Sequence, residues 1–271
     1  MKRSAKLFII LASAVIAFCF AGCVMLSDTY KNGDKYSAGN TEFDGSSIKS
    51  LDISWRSGNI TVSRHDKDTV TVTESCGSDL KKEQEVHTWL DGNVLRIQFC
   101  KSGEPFFFKT SEKKLEIKIP RDMELDELSC SSASGDMFFE DIAADTINCA
   151  SASGDITIEQ KGESSSIKAA ASSGDIDITS DKTDKIEANS SSGEIVLRLN
   201  SLPAETEAAS ASGDVKLFVP ENADFTAKVA AASGDFDSDM PLVKEDGRYI
   251  SGDGSNKINI STASGDISIE N

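Results

Sequence analysis

From residue 128 onward, apolar and polar residues alternate in short bursts that restart about every 20 positions. Two residues after a recurring glycine come Met137, Ile156, Ile176, Ile195, Val215, Phe236 and Ile267. Two residues further on come Phe139, Ile158, Ile178, Leu197, Leu217, Ser238 and Ile269. The positions between are mainly polar, as in Thr157, Asp177, Lys216, Asp237 and Ser268. A period of two is the mark of a strand with one buried face. A second alternating burst precedes each glycine, with Leu128, Ile147, Ile167, Ile186 and Ile258 pointing inward, followed by Cys130, Cys149, Ala169, Ala188, Ala208 and Val229.

The glycine lies in a Ser-Gly-Asp or Ser-Gly-Glu triplet. The periodic triplets, from Ser134-Gly135-Asp136 to Ser264-Gly265-Asp266, place their glycines 19, 20, 19, 20, 21 and 31 residues apart, and one further match, Ser251-Gly252-Asp253, lies off this period without the apolar residues that follow the others. Each repeat therefore reads as strand, small-residue corner, strand and variable turn. One such unit cannot bury its own apolar face, so the fold exists only as a stack. The pattern predicts an all-β chain, a parallel β-solenoid (β-helix) with coils of about 20 residues and equivalent strands about 4.8 Å apart. Glycine is expected where the backbone bends to positive φ or where a Cβ has no room. The long last interval holds an excursion, Asp239–Gly254, in which Asp246-Gly247 between Leu242-Val243 and Tyr249-Ile250 predicts a projecting hairpin.

The first half follows the same logic less regularly. Arg56-Ser57-Gly58-Asn59-Ile60-Thr61-Val62 is a degenerate repeat, and strands are predicted at Thr69–Thr73, Glu85–Leu90, Val94–Phe99 and Lys114–Ile119. Residues 48–127 are expected to form irregular coils and a cap, with one or two helical turns an alternative over Asp79–Glu85. Residues 128–271 are expected to form the regular solenoid. Its last burst, Ile267–Asn271, shows no evident cap, so an open strand edge is expected there, with a monomer or weak homo-oligomer as the outcome.

The N-terminus carries an address. Lys2, Arg3 and Lys6 precede the apolar run Leu7–Phe20, the layout of a secretory signal. It ends in Phe20-Ala21-Gly22-Cys23, which resembles a bacterial lipobox and implies cleavage of residues 1–22 and lipidation of Cys23. Leu7–Leu26 is also long enough to span a bilayer as an uncleaved anchor, and either reading exports the remainder. The polar, glycine-bearing stretch to Ser47 then reads as a flexible tether, within residues 23–47.

Composition narrows the chemistry. The 271 residues include 28 Lys and Arg against 45 Asp and Glu, a net charge of −17, or −20 once the three signal cations are lost. Such acidity excludes a phosphate-binding footprint for DNA or RNA. His65 and His87 are the only histidines, which leaves little basis for histidine-based metal or catalytic centres. No Gly-x-Ser-x-Gly elbow occurs, and an acid repeated in every coil looks structural, so catalysis, with glycan cleavage as the version considered, is disfavoured.

Two sets of residues invite chemistry. Asp136, Asp155, Asp175, Glu194, Asp214, Asp235 and Asp266 form a prospective acidic ladder whose neighbours would repel by about 0.9 kcal/mol in water. Calcium would offset that repulsion, and so would local hydrogen bonds to backbone N–H groups or serines. One carboxylate per repeat favours the latter. Cys130 and Cys149 occupy equivalent repeat positions, so they form either a disulfide or two small buried thiols. Cys76 and Cys100 lie on candidate neighbouring strands and could pair. The aromatic run Pro105-Phe106-Phe107-Phe108 suits a core-covering insert better than an exposed contact tip.

The Ser-Gly-Asp-apolar-x-apolar repeats, Leu115–Pro120 before them and the late Gly252-Asp253-Gly254 to Thr262 segment resemble a widespread bacterial family of unknown function, often labelled "putative adhesin" or β-strand-repeat proteins. The resemblance spans roughly Ile48 to Asn271 and implies a right-handed solenoid at the cell envelope. It suggests a non-catalytic binding or adhesion scaffold held to the membrane through its lipid, with an envelope protein or glycan as partner. A regulatory accessory that senses envelope stress and binds a membrane protein through its first coils is the alternative.

Overall fold

A computed structural model describes residues 29–104 and 113–271. Cys23 and the Pro105–Phe108 run therefore lie outside the described residues, as does the signal. Among the described residues there is no α-helix, only two short 3-10 turns and 22 strands joined in one sheet system.

The strands of the first half are β1 (Ser37–Ala38), β2 (Thr41–Asp44), β3 (Ser50–Ser57), β4 (Ile60–His65), β5 (Thr69–Ser75), β6 (His87–Asp91), β7 (Val94–Gln98) and β8 (Lys114–Pro120). The regular region contains β9 (Leu125–Ser134), β10 (Met137–Ile142), β11 (Ala144–Ser153), β12 (Ile156–Ser173), β13 (Ile176–Ser192), β14 (Ile195–Leu199), β15 (Glu205–Ser212) and β16 (Val215–Phe218). The chain closes with β17 (Phe225–Ser233), β18 (Phe236–Ser238), β19 (Val243–Glu245), β20 (Arg248–Ser251), β21 (Asn256–Ser264) and β22 (Ile267–Glu270).

Equivalent residues of successive repeats pair in parallel register. Leu128 sits beside Ile147, Ile147 beside Ile167 and Ile167 beside Ile186 on one face. On the other face Met137, Ile156, Ile176, Ile195 and Val215 follow one another. The inward rows are buried, isoleucine upon isoleucine, and the small residues Cys130, Cys149, Ala169, Ala188 and Ala208 are buried beside them. Each fully buried isoleucine contributes about 1.5–3 kcal/mol relative to exposure, so the stack rather than any single repeat carries the stability.

The spatial order of rungs departs from the chain order at both ends. β3–β4 is the first parallel rung in the sequence, yet it lies between β7–β8 on one side and β9–β10 on the other. Likewise β21–β22, the last segment, lies between β15–β16 and β17–β18. The open edge expected at Ile267–Asn271 is therefore corrected, because β22 has a parallel neighbour on each side. The Asp239–Gly254 hairpin does form, turning at Asp246 (φ 48) and Gly247 (φ 75), but it does not project. β20 pairs antiparallel with Phe225–Ala227 of β17 and covers that part of the end.

At the opposite end, antiparallel strands continue both faces. β6 and then β1 extend the face that carries β7, while β5 and then β2 extend the face that carries β8. The tether reading of the stretch to Ser47 is corrected from Tyr30 onward: this segment supplies β1 and β2, the outermost strands. Residues 82–84 are turns, and Asp79–Glu85 contains no helix. From β1 to β17 are ten strand spacings, so the stack is about 50 Å long.

Candidate interaction surfaces

The Ser-Gly-Asp corners stack into two coupled ladders. A Cβ on Gly154 would meet Gly135 O at 2.3 Å. On Gly174 it would meet Gly154 O at 2.2 Å, and on Gly193, Gly174 O at 2.1 Å. Glycine is required there by backbone approaching backbone, because Gly174 and Gly193 do not have left-handed φ values.

Beside the glycines, the acidic residues bind one another's backbone. Asp136 Oδ1 accepts from Asp155 N (3.1 Å), Asp155 Oδ1 from Asp175 N (2.8 Å) and Asp175 Oδ1 from Glu194 N (2.8 Å). Asp214 Oδ1 accepts from Asp266 N (2.8 Å), and Asp266 Oδ1 from Asp235 N (2.9 Å). Asn59 begins the series, its Oδ1 accepting from Asp136 N at 3.2 Å. Glu194 is the longer residue and departs from it, placing its carboxylate 2.6 Å from Lys216 Nζ. Each charge-assisted bond joins two rungs, which offsets repulsion between neighbouring carboxylates of about 0.9 kcal/mol. No group of three or more His, Cys, Asp or Glu side chains converges among the described residues. The structure thus places the acidic positions in a row and sets one oxygen of most of them on a neighbour's N–H.

In-register pairing also aligns the outward residues. Lys168 faces Glu187, Lys185 faces Glu205 at 3.0 Å, Lys182 faces Glu163 at 2.6 Å and Arg198 faces Asp177 across adjacent rungs. Exposed pairs of this kind are worth only about 0–1 kcal/mol each. Their effect is to make a polar, patterned wall rather than a strong clamp.

Cys130 and Cys149 are register partners, both buried and both free thiols in the structure. The Cys130 Sγ donates to Met137 Sδ at 3.4 Å. Burial pushes both thiols far above their ordinary value, with the neighbouring Cys149 adding to the effect on Cys130.

The N-terminal end holds a buried ion pair that no motif announces. Lys113 Nζ pairs with Glu74 and donates to Gln84 O (2.7 Å) and Phe99 O (2.6 Å), with the Phe99 and Trp55 rings 3.9 and 5.0 Å away. Glu74 Oε2 accepts from Val86 N at 2.9 Å. Desolvation holds the Glu74 carboxyl above its ordinary value and the Lys113 ammonium below its own. Strand parity carries the missed signal. Lys113 shares the inward phase of Leu115, Ile117 and Ile119, and Glu74 shares that of Val70 and Val72.

An aromatic groove lies at the same end, between β1, β2 and β6. Its volume is about 280 Å³, and Phe43, Trp89 and Leu90 line it together with Lys35 and Glu42. Tyr30, Tyr36 and Trp89 form an edge-to-face series with centroids 4.8 and 5.5 Å apart, and Lys35 Nζ sits 4.7 Å from the Trp89 ring. Tyr30 is tied down by its N–H to Ser102 Oγ (3.0 Å) and its hydroxyl to Cys100 O (2.9 Å). The sequence spreads these residues over 60 positions, so only the pairing of β1 with β6 reveals the cluster.

A family profile described as Toastrack DUF4097 matches residues 48–170 and 160–270 of the chain. No curated protein matches significantly. Among solved structures, a putative adhesin from Bacteroides fragilis aligns at 17% identity and a TM-score of 0.49, covering 85% of this chain and 95% of its own. A putative lipid binding protein from Parabacteroides distasonis aligns at 16% identity and 0.41, covering 86% and 96%. A putative adhesin from Parabacteroides merdae aligns at 8% identity and 0.41, covering 87% and 96%.

Proposed function

The chain belongs to the Toastrack DUF4097 family, and from that premise we propose that it is an extracytoplasmic lipoprotein whose stacked domain serves as a non-catalytic binding or adhesion scaffold. In this reading the signal is cleaved before Cys23, the lipid on Cys23 holds the chain to the membrane, and the stack winds as a right-handed parallel solenoid with coils of about 20 residues. The handedness follows the strong preference of parallel crossovers in one sheet. Calcium is not needed for the ladder, because neighbouring N–H groups already engage its carboxylates.

The observation that carries the reading is the parallel register itself. It repeats the outward positions across neighbouring rungs and so presents long rows of Lys, Glu, Asn and Ser side chains to a protein or glycan. A rigid row favours an extended partner, since little ordering cost remains on the scaffold's side. The acidic surface discourages adsorption to anionic polymers.

The test is photo-crosslinking in intact cells from probes at Lys168 and Asn189 on the outward rows, with a buried control at Ile186. Adducts from the outward probes with envelope proteins or glycans support the scaffold. No adducts from either outward position, together with turnover of a glycan panel by the purified chain, would reverse the reading. The regulatory alternative predicts instead that adducts concentrate on one integral membrane protein and come from further probes placed on β3 and β7, with none from Lys168 or Asn189.

A further inference from the structure

We propose that the β1–β2 end of the stack rests on the lipid surface through the groove around Trp89, so that the acidic repeats stand away from the membrane. This rests on the reading of Cys23 as lipid-modified.

Charge is divided unevenly along the stack. Residues 29–121 carry 15 Lys and Arg against 14 Asp and Glu, whereas residues 122–271 carry 10 against 30. The nearly neutral part includes the end built by β1 and β2, and the acidic part includes the whole regular stack. An anionic bilayer surface therefore repels one part and tolerates the other.

Chain length sets the reach. Five residues lie between Cys23 and Thr29, the first described residue, and the six Cα–Cα steps span at most about 20 Å when extended. Tyr30, the next residue, is fixed to Ser102 and Cys100 at this same end. The end opposite, at β18 and β19, lies about 50 Å further along the stack. A lipid on Cys23 can place only the first of these ends at the membrane without crossing the length of the domain.

The surface at that end has the composition of a water–lipid boundary. Tyr36, Phe43, Trp89 and Leu90 are half-buried, and Lys35 is exposed with its ammonium over the indole. Aromatic rings with one wet edge favour the headgroup region, and a lysine can lay its stem on apolar surface while its ammonium meets phosphate. The occupant is accordingly a phospholipid surface.

The experiment uses the full lipidated chain reconstituted in phosphatidylethanolamine–phosphatidylglycerol vesicles containing phosphatidylcholine brominated near the headgroup. Trp55 is fully buried, so the difference between wild type and Trp89→Phe reports Trp89. A second variant, Trp89→Phe with Tyr249→Trp, places the reporter at the far end, where Tyr249 packs on Phe236. The expected result is loss of the Trp89 emission to the brominated lipid and none from position 249. Equal quenching at both positions, or none at either while the chain floats with the vesicles, overturns the proposed orientation. Mass spectrometry of the N-terminal peptide separates the two levels: an unacylated Cys23 refutes the anchor, whereas an acylated Cys23 with unquenched Trp89 refutes only the docking.

Discussion

Replacing Gly193 by alanine tests whether the corner ladder is set by steric approach. The added Cβ would lie 2.1 Å from Gly174 O, 2.6 Å from Gly174 C and 3.0 Å from Ser190 Oγ. Two of these three atoms are backbone, so rotating a side chain gives no relief and the rungs must separate by about 1 Å to regain ordinary contact. Besides the Ser190 Oγ bond to Gly174 O (3.1 Å), three bonds from backbone N–H groups hold the rungs at that point: Gly174 N to Ser192 O (3.2 Å), Ile176 N to Glu194 O (2.9 Å) and Glu194 N to Asp175 Oδ1 (2.8 Å). Losing them costs about 1 kcal/mol each, and spreading the packed Ile176–Ile195 row adds about 1–3 kcal/mol. The expected loss is therefore about 4–6 kcal/mol, a large share of a typical domain's stability. Gly162→Ala is the control. Nothing lies within 4 Å of its Cβ, so it bears only the strain of φ +75, about 1–2 kcal/mol. Urea unfolding followed by circular dichroism measures both, and hydrogen exchange at the Ile176 and Glu194 amides localises the damage. A Gly193→Ala loss no greater than that of Gly162→Ala would show that the ladder tolerates a side chain, and the steric argument would fall.

Asp155→Asn keeps the acceptor for Asp175 N and removes one member of a like-charged row. At low salt its melting temperature should match or exceed that of wild type, while Asp155→Ala loses about 1–2 kcal/mol; adding calcium to metal-free wild type should leave the melting temperature unchanged. Lys113→Met strands the buried Glu74 carboxylate and should cost about 3–5 kcal/mol at neutral pH. Glu74 is already held above the ordinary glutamate value of 4.5, and losing the Lys113 charge raises it further, which favours the protonated form in the fold. The deficit against wild type should therefore shrink as pH falls toward 4.5 and widen as it rises, as unfolding curves across that range will show. Cys130 and Cys149 should both be alkylated when the unreduced protein is unfolded in the presence of a thiol reagent; peptide mapping that finds them joined would overturn the buried-thiol assignment.

The repeats were legible because their two periods coincide. Alternation identifies which side chains enter the core, and the 19- to 21-residue spacing aligns them between rungs, as in the Met137–Ile156–Ile176 row. The acidic ladder was legible as a row, and its local hydrogen bonding was one of two readings that the residue types allowed. What the sequence could not convey was the insertion of β3–β4 and β21–β22 between rungs. The 31-residue interval before Gly265 marks a detour, but the direction in which the chain returns depends on which exposed edge it meets. The Trp89 cluster and the Lys113–Glu74 pair were hidden for a related reason. Both are assembled by antiparallel cap strands that have no fixed period.

The two insertions give the ends of the stack a common logic. Parallel rungs added in chain order would leave the first and last parallel rungs, β3–β4 and β21–β22, as edges of the parallel stack, held on one side only and free to fray or to recruit other strands. Here β3–β4 and β21–β22 each make ladder bonds on both sides, and the outer rungs β7–β8 and β17–β18 are internal segments whose own outer sides are met by β6, β5 and, in part, β20. To pull either of these rungs free, ladders on two sides must open instead of one, whereas β1 and β2, outside them, are each held by one ladder. A chain tethered at Cys23 would carry any load from its partner through Tyr30 and β1–β2 into this arrangement. The end that would bear this load also holds the buried ion pair and three of the aromatic ring contacts among the described residues. With Cys23 as the proposed anchor, the same antiparallel strands that close the sheet edge would also fix the point from which the stack extends.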